Sequence, residues 1–132
     1  MEKCTKYVRD REGLLLTDTT WRNDHQSILT TRMRTQEITN ADNFTNLSLM
    51  YAFSLEMWFG VTFDFKMCFL HKFSWKRLET LREKVPDIPF HILLRGANAM
   101  GYTNYPVNVV HKLCKQTSKY SVDVFRVFDS LN

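Results

Sequence analysis

The sequence has few of the residues that build small cross-linked or metal-bound folds. Only three of its 132 residues are cysteines, Cys4, Cys68 and Cys114, and none of them forms a C-x-x-C motif. This spacing argues against a zinc ribbon, a thioredoxin motif and a secreted disulfide framework. The cysteine usage therefore favours a reducing compartment.

Long hydrophobic runs are also missing. No stretch of 18 apolar residues occurs, because Glu56 and Asp64 interrupt the most apolar region, residues 47–65. We therefore expect no transmembrane helix and no membrane partner. The start, MEKCTKYVRDREG, lacks the apolar segment of a signal peptide, and its acidic residues are atypical of a mitochondrial transit peptide. On this basis alone we expect a soluble chain, cytoplasmic by default.

The basic residues are not collected into a block. Eighteen Lys and Arg against 14 Asp and Glu give a formal net charge of +4, but stretches such as VRDREG and WKRLETLREK mix both signs. Because a nucleic-acid surface needs clustered cations, we expect no nucleic-acid partner. A chain of this length with 44% hydrophobic residues can build one globular domain.

Apolar periodicity alternates between the strand and helix types along the chain. The segments predicted as strands are residues 14–18, 49–55, 90–94 and 122–128. The segments predicted as helices are residues 31–44, 63–70, 75–85 and 105–120. This order predicts parallel strands joined by right-handed crossovers, which is the α/β class.

A polar cluster follows each predicted strand. The four clusters are TDTTWRNDHQS, SLEMWFGVTFD, RGANAMGYTNY and FDSLN. Parallel α/β folds place binding sites at the carboxyl ends of their strands, so a barrel would bring these four clusters around one pocket. A solvated surface loop is the alternative interpretation of each cluster, and we favour the site.

Several of these stretches together resemble one enzyme family. LLLTDTT-x-R-x-x-HQS, SLEMW-x-G-x-TFD, LLRGANAMGYTNYP-x-NVV and DVFRVFDSLN are similar to the carboxyltransferase domain of biotin-dependent pyruvate carboxylases of animal type. The resemblance implies a partial TIM (β/α) barrel, with the first four strands and their helices. It makes residues 1–12 an N-terminal lead-in and residues 13–132 the first half of the barrel domain.

The resemblance also implies an activity. A carboxyl group would pass from carboxybiotin to pyruvate and form oxaloacetate. The expected partners are pyruvate, a biotin carrier domain, and the missing half of the barrel or a second copy of this chain. The animal-type resemblance implies the mitochondrial matrix. Because half of the barrel is missing, we expect the 132-residue chain alone to be inactive.

Five positions match residues of the family's site. Arg22, Gln26 and Arg95 match substrate-binding and catalytic positions, where a guanidinium can bind both oxygens of a carboxylate. Asp64 and Tyr102 match positions that line the biotin pocket. The plain structural alternatives are a salt bridge for Arg95, a helix-cap contact for Gln26, and a Tyr–carboxylate hydrogen bond for the remaining pair.

The chain departs from the family where a metal would bind. Asn23 stands where the family has an aspartate that ligates a divalent metal such as zinc or manganese, and an amide offers only one neutral oxygen. Asp24 leaves the backbone in a different direction and does not replace that ligand. Phe59 occupies a glycine position of the family. A truncated, non-catalytic remnant or binding protein of the same fold is therefore the alternative function.

Overall fold

The described residues form one parallel sheet with helices. The computed structural model describes residues 2–24, 27, 33–58, 74–101 and 103–129. The four strands lie in the order β1-β2-β3-β4 and are β1 (Thr17–Asp18), β2 (Ser54–Trp58), β3 (Phe90–Leu94) and β4 (Val124–Val127). Each strand pairs in parallel with the next one along the chain. The α/β class predicted from the sequence is thus confirmed.

Helices connect the strands. The α-helices of the described residues are α1 (Glu2–Asp10), α2 (Thr20–Asn23), α3 (Thr35–Thr39), α4 (Asp42–Ser48), α5 (Ser74–Lys84) and α6 (Val107–Lys119). A short 3₁₀ turn, Gly96–Asn98, follows β3. Within the described residues, no helix combines the length and the apolar character needed to cross a membrane.

Several predicted elements match the observed ones, and others need correction. β3 has the predicted bounds, and α5 and α6 each end one residue earlier than predicted. The predicted helix 31–44 is wrong as one element, because the chain turns at Asn40–Ala41 and forms α3 and α4. The predicted helix 63–70 lies outside the described residues.

The ends of the chain also differ from prediction. Helix α1 was not predicted, because residues 1–12 were assigned only as a lead-in. β1 is shorter than predicted, and Leu14 and Leu16 before it are exposed. β2 begins five residues later than predicted, because Leu49 ends α4 and the chain turns before it extends.

A bulge in β2 sets which side chains share a face. Leu55 pairs with Phe90 and Glu56 with His91, but Trp58 pairs with Ile92, so the register shifts between Glu56 and Trp58. The extra residue of a bulge turns the following side chain to the other face. Trp58 consequently packs on the helix side, where its ring lies 5.3 Å from that of Trp75 in α5.

Helix α5 supplies the main apolar cover of the sheet. Leu78 and Leu81 are fully buried, as is Val85 just after the helix. Burying each of these side chains is worth about 1.5–3 kcal/mol. Arg77 on the same helix is also buried, which lowers its pKa to about 10, and the nearby charge of Glu37 partly offsets this effect. The α5 region thus combines three buried apolar side chains with one buried cation.

The guanidinium of Arg82 joins α5 to β3 and β4. Its Nη1 donates to the carbonyl oxygens of Val85, Pro86 and Ile88 at 3.0–3.3 Å. Its Nη2 donates to Asp123 Oδ2 at 2.6 Å, and the same oxygen accepts the Phe90 N–H at 2.8 Å. Burial lowers the Arg82 pKa, while the charge of Asp123 and its hydrogen bond raise it. Arg82 thus bonds the carbonyl groups that follow α5, and through Asp123 it aligns the starts of β3 and β4.

We expect the 132-residue chain, produced alone, to associate rather than remain a monomer. β1 and β4 are the edges of the sheet, and Leu16, Val127 and Phe128 near them are exposed. Open apolar edges promote pairing between chains. Size-exclusion chromatography with light scattering should give masses well above 15.7 kDa. A stable monomer that melts cooperatively and binds no hydrophobic dye would contradict this expectation.

Candidate functional site

A row of hydrogen-bonded polar side chains crosses the inner face of the sheet. The Thr17 and Ser54 hydroxyl oxygens lie 2.8 Å apart, and Ser54 Oγ lies 3.2 Å from His91 Nδ1. Ser54 and His91 are buried. Desolvation lowers the His91 pKa below its ordinary value of 6.5; the charge of Glu56 opposes this effect, and that of Arg126 adds to it. The inner face therefore holds a buried imidazole whose environment favours the neutral form.

A buried ion-pair network lies beside this row. The Glu56 carboxylate in β2 is fully buried, and its Oε1 lies 3.5 Å from Arg22 Nε in α2. Arg126 Nη2 in β4 lies 3.2 Å from Glu56 Oε2 and 3.4 Å from Oε1. β3 separates β2 from β4 in the sheet. Inward side chains of alternate strands share a layer in a (β/α) barrel, and this contact between β2 and β4 follows that pattern.

Three arginines surround a cavity at the carboxyl ends of the strands. The cavity has a volume of about 970 Å³, and its lining includes Arg22, Arg95 and Arg126 together with Asp129. Counting Glu56 beneath them, the three guanidinium groups outnumber the two carboxylates by one. A cavity of this size and net charge suits a small organic anion.

A tightly bonded loop holds Arg95 in place. The Arg95 N–H donates to the Ala99 carbonyl at 2.9 Å, and the Asn98 N–H donates to the Arg95 carbonyl at 2.9 Å. Gly96 has a φ of +46°, and a Cβ there would lie 2.8 Å from Asp129 Oδ2. Ala99 is buried with a φ of +48°, a strained conformation for a residue with a side chain. The loop after β3 thus has a fixed course beside the end of β4.

The structure brings together some of the predicted site residues. Arg22 of α2 and Arg95 of the loop after β3, which are distant in sequence, line the same cavity. Residues of the predicted clusters after β3 and β4 line it as well. The cluster SLEMWFGVTFD contributes Glu56, which lies within β2 and pairs with Arg22. The remaining predicted positions, Gln26, Asp64 and Tyr102, lie outside the described residues.

The described residues at the family's metal position do not fit a divalent cation. Asn23 Oδ1 accepts a hydrogen bond from Arg22 Nη1 at 2.9 Å, and Asn23 Nδ2 donates to Thr19 Oγ1 at 2.9 Å. Asp24 faces a different cavity, of about 260 Å³, which Asp18 also lines. In the described parts of the chain, no group of three or more His, Cys, Asp or Glu residues could hold a metal ion.

Sequence reasoning missed Glu56, Arg126 and Asp129 as residues of this site. Glu56 is a lone charge in the apolar stretch SLEMW, and Arg126 alternates with apolar residues in DVFRVFD. A charge inside a strand pattern is a usable signal, because buried charges need partners. The partner of each buried charge depends on the order of the strands in the sheet. This order cannot be read from a single sequence.

The chain is similar to known proteins over nearly its whole length. It is 56% identical over 127 residues to pyruvate carboxylase 1 of Caenorhabditis elegans, a match covering 96% of this chain and 11% of that protein. It is 53% identical to the mitochondrial pyruvate carboxylase of Rattus norvegicus, covering 99% of this chain and 11% of that protein. The chain thus spans about a tenth of the length of these relatives. No protein-family model matches it.

A solved structure has the same fold. The carboxyl transferase domain of Rhizobium etli pyruvate carboxylase, determined with pyruvate and biocytin, superposes with a TM-score of 0.86 at 48% identity. The match covers 96% of this chain and 21% of that one. By fold, then, the chain is part of a carboxyltransferase barrel, as predicted. By sequence, its relatives are the pyruvate carboxylases, and it corresponds to one segment of their carboxyl transferase domain.

Because the Rhizobium domain has been solved as a separate unit, it offers a complete barrel for experiments. We define the hybrid domain as this domain with its matching segment replaced by the present chain. Substitutions in the hybrid domain are numbered as in this chain.

We expect the hybrid domain to lose stability below pH 6.5 partly through His91. Because the native pKa is lowered, the unfolded chain binds a proton first as the pH falls through 6.5, and folding stability drops until the native pKa is passed. His91→Asn, whose amide can keep the Ser54 contact, should show a shallower fall in melting temperature from pH 7 to 5.

The control for this prediction is His111→Asn, which changes the same residue type at an exposed position of α6. It should keep the steeper acid dependence of the parent hybrid. Identical acid dependence in the parent and in His91→Asn would contradict the prediction.

Proposed function

We propose that this chain forms the substrate side of a site that transfers a carboxyl group from carboxybiotin to pyruvate, giving oxaloacetate. The observation that supports it most is the cavity bordered by Arg22, Arg95 and Arg126. In the proposed step, a C–C bond forms between the methyl carbon of the pyruvate enolate and the carboxyl carbon. Carboxybiotin, when bound, would supply this carboxyl group by cleavage of its N–C bond, and the biotin nitrogen would take up the proton lost from the pyruvate methyl group.

The arginines match the charges that this reaction develops. Pyruvate is a carboxylate, and loss of a methyl proton turns its ketone oxygen into an enolate oxygen. Fixed cations aimed at such an oxygen stabilise it strongly in a site sheltered from water. Arg95, on its bonded loop, holds the substrate oxygens, while Arg22 of α2 supplies a cation and Gln26 an amide donor.

The remaining components follow from the relatives. Biotin, when bound, supplies the activated carboxyl group, and Asp64 and Tyr102 would line its pocket. The partners are a biotin carrier domain and the rest of the barrel, or a second copy that completes it. The mitochondrial name of the rat relative supports a location in the mitochondrial matrix.

A second candidate is a binding protein of the same fold that carries out no transfer. The hydrogen bonds of Asn23 favour it, because both polar atoms of its amide are already engaged with Arg22 and Thr19. Such a protein would bind the anion in the arginine-lined cavity without turning it over.

We expect Arg95→Ala to lower carboxyl transfer in the hybrid domain at least 100-fold. Removing one preorganised charge from a developing oxyanion costs about 2.7–4 kcal/mol. The assay measures pyruvate released from oxaloacetate in the presence of biocytin, which is the reverse of the proposed transfer.

Arg34→Ala is the matched control for this assay, because Arg34 is exposed and does not line the cavity. It should retain the parent rate. Near-parent activity of Arg95→Ala would remove Arg95 from the site, and a parent hybrid that binds pyruvate without transfer would favour the binding protein.

We expect Asn23→Asp to strengthen divalent metal binding by the hybrid domain. The substitution adds one negative charge and a second ligand oxygen, which hard and borderline cations prefer to an amide. Elemental analysis after exhaustive dialysis measures the metal retained by each form. Adding Asp24→Asn should leave the gain unchanged, because Asp24 faces the other cavity. Equal metal content with Asn or Asp at position 23 would contradict the prediction and show either that this side chain is no ligand or that the amide carbonyl suffices.

A further inference from the structure

The buried Glu56 joins two of the three arginines of the cavity. Its side chain is 0% exposed, while those of Arg22 and Arg126 are 25% and 50% exposed. The carboxylate is fixed by its place in β2, whereas both cations reach it on long side chains from other elements. The fixed member of the network is therefore the acid.

Holding an arginine in one orientation has an energetic value. A free arginine side chain has many rotamers, and an anion that binds it would otherwise have to offset the entropy lost when it is ordered. A buried carboxylate that already orders two guanidinium groups removes part of this cost. Preorganisation of this kind raises affinity without any contact between the ordering residue and the ligand.

We propose that Glu56 is a positioning residue, which orients Arg22 and Arg126 at the rim of the cavity so that both meet the same small carboxylate anion. Arg126 then joins Arg22 and Arg95 as a third cation of the site. This inference deepens the proposed function and rests on it. Glu56 itself does not touch the substrate, and the polar row through His91 lies beside it.

Whether Glu56→Gln raises or lowers the anion affinity distinguishes a positioning role of Glu56 from a purely electrostatic one. Glu56→Gln keeps the shape of the side chain and removes its negative charge. If Glu56 only offset the charge of the arginines, its loss would make the cavity more positive and tighten anion binding. If it positions them, the affinity falls despite the more positive cavity.

The experiment measures oxalate binding to the hybrid domain by titration calorimetry. Oxalate is a small planar dianion that resembles the pyruvate enolate, and its binding requires no carboxyl transfer. We expect Glu56→Gln to raise the Kd for oxalate at least fivefold. An unchanged or lower Kd would overturn the inference.

The matched control is Glu79→Gln. Glu79 pairs with Lys76 at 3.3 Å on the exposed surface of α5, so the substitution makes the same charge change away from the cavity. It should leave the oxalate Kd unchanged. A fivefold rise in this control as well would show that the effect is not specific to Glu56 and would overturn the inference.

A double-mutant cycle tests whether Glu56 acts through Arg126. In an Arg126→Gln background, Glu56→Gln should raise the Kd by a smaller factor than in the parent, because one of the two arginines that Glu56 positions is already absent. Strictly multiplicative effects would remove Arg126 from the proposal.

A second variant keeps the inference testable if Glu56→Gln does not fold, as judged by its melting curve. Glu56→Asp retains the charge but shortens the side chain by one methylene. Positioning predicts a raised Kd here too, whereas a pure charge effect predicts no change in Kd, and an unchanged Kd would overturn the inference.

A parent hybrid that binds no oxalate would overturn the proposed function and this inference together. Binding by the parent with no effect at Glu56 would overturn the inference alone.

Discussion

The buried carboxylate of Glu56 is the constraint that arranges the mouth of this barrel. An unpaired carboxylate in the interior costs several kcal/mol, so the fold is stable only when cations reach it. One cation comes from the short helix after β1, and the other lies in β4, 70 residues after Glu56. Meeting this requirement brings two cavity arginines together, so stability and site geometry depend on the same contacts.

At the opposite end of the strands, Arg82 has the corresponding role. It satisfies three carbonyl oxygens beyond α5 and pairs with Asp123, which also accepts the Phe90 N–H. The Arg82 guanidinium lies 3.7 Å from the centre of the Phe90 ring, so the cation is partly covered by an aromatic face as well as by acceptors. β3 and β4 are thus aligned at the end where they begin, and this alignment sets how Arg95 and Arg126 emerge at the other end.

Sequence periodicity predicted the elements whose stability is local or fully apolar. β3 is a run of buried residues without interruption, and α5 carries its apolar residues on one side, so both were found within one residue of their bounds. Elements decided by turns were placed less well. The break between α3 and α4 at Asn40–Ala41 and the late start of β2 depend on where the chain leaves one helix and enters the sheet, and apolar spacing does not encode this point.

The site residues also fall into those that the sequence predicted and those that it did not. Arg22 and Arg95 follow strands and belong to quoted motifs, so position in the chain and resemblance both pointed to them. Glu56 and Arg126 were missed because their significance lies in a contact that skips a strand. That contact depends on the bulge after Glu56, which lets Glu56 face inward with His91 while Trp58 packs against α5. In a regular strand, Glu56 and Trp58 would share one face, and the tryptophan would stand where the guanidinium groups converge. The bulge therefore keeps this part of the mouth polar, and it arises from pairing with β3, which cannot be read from β2 alone.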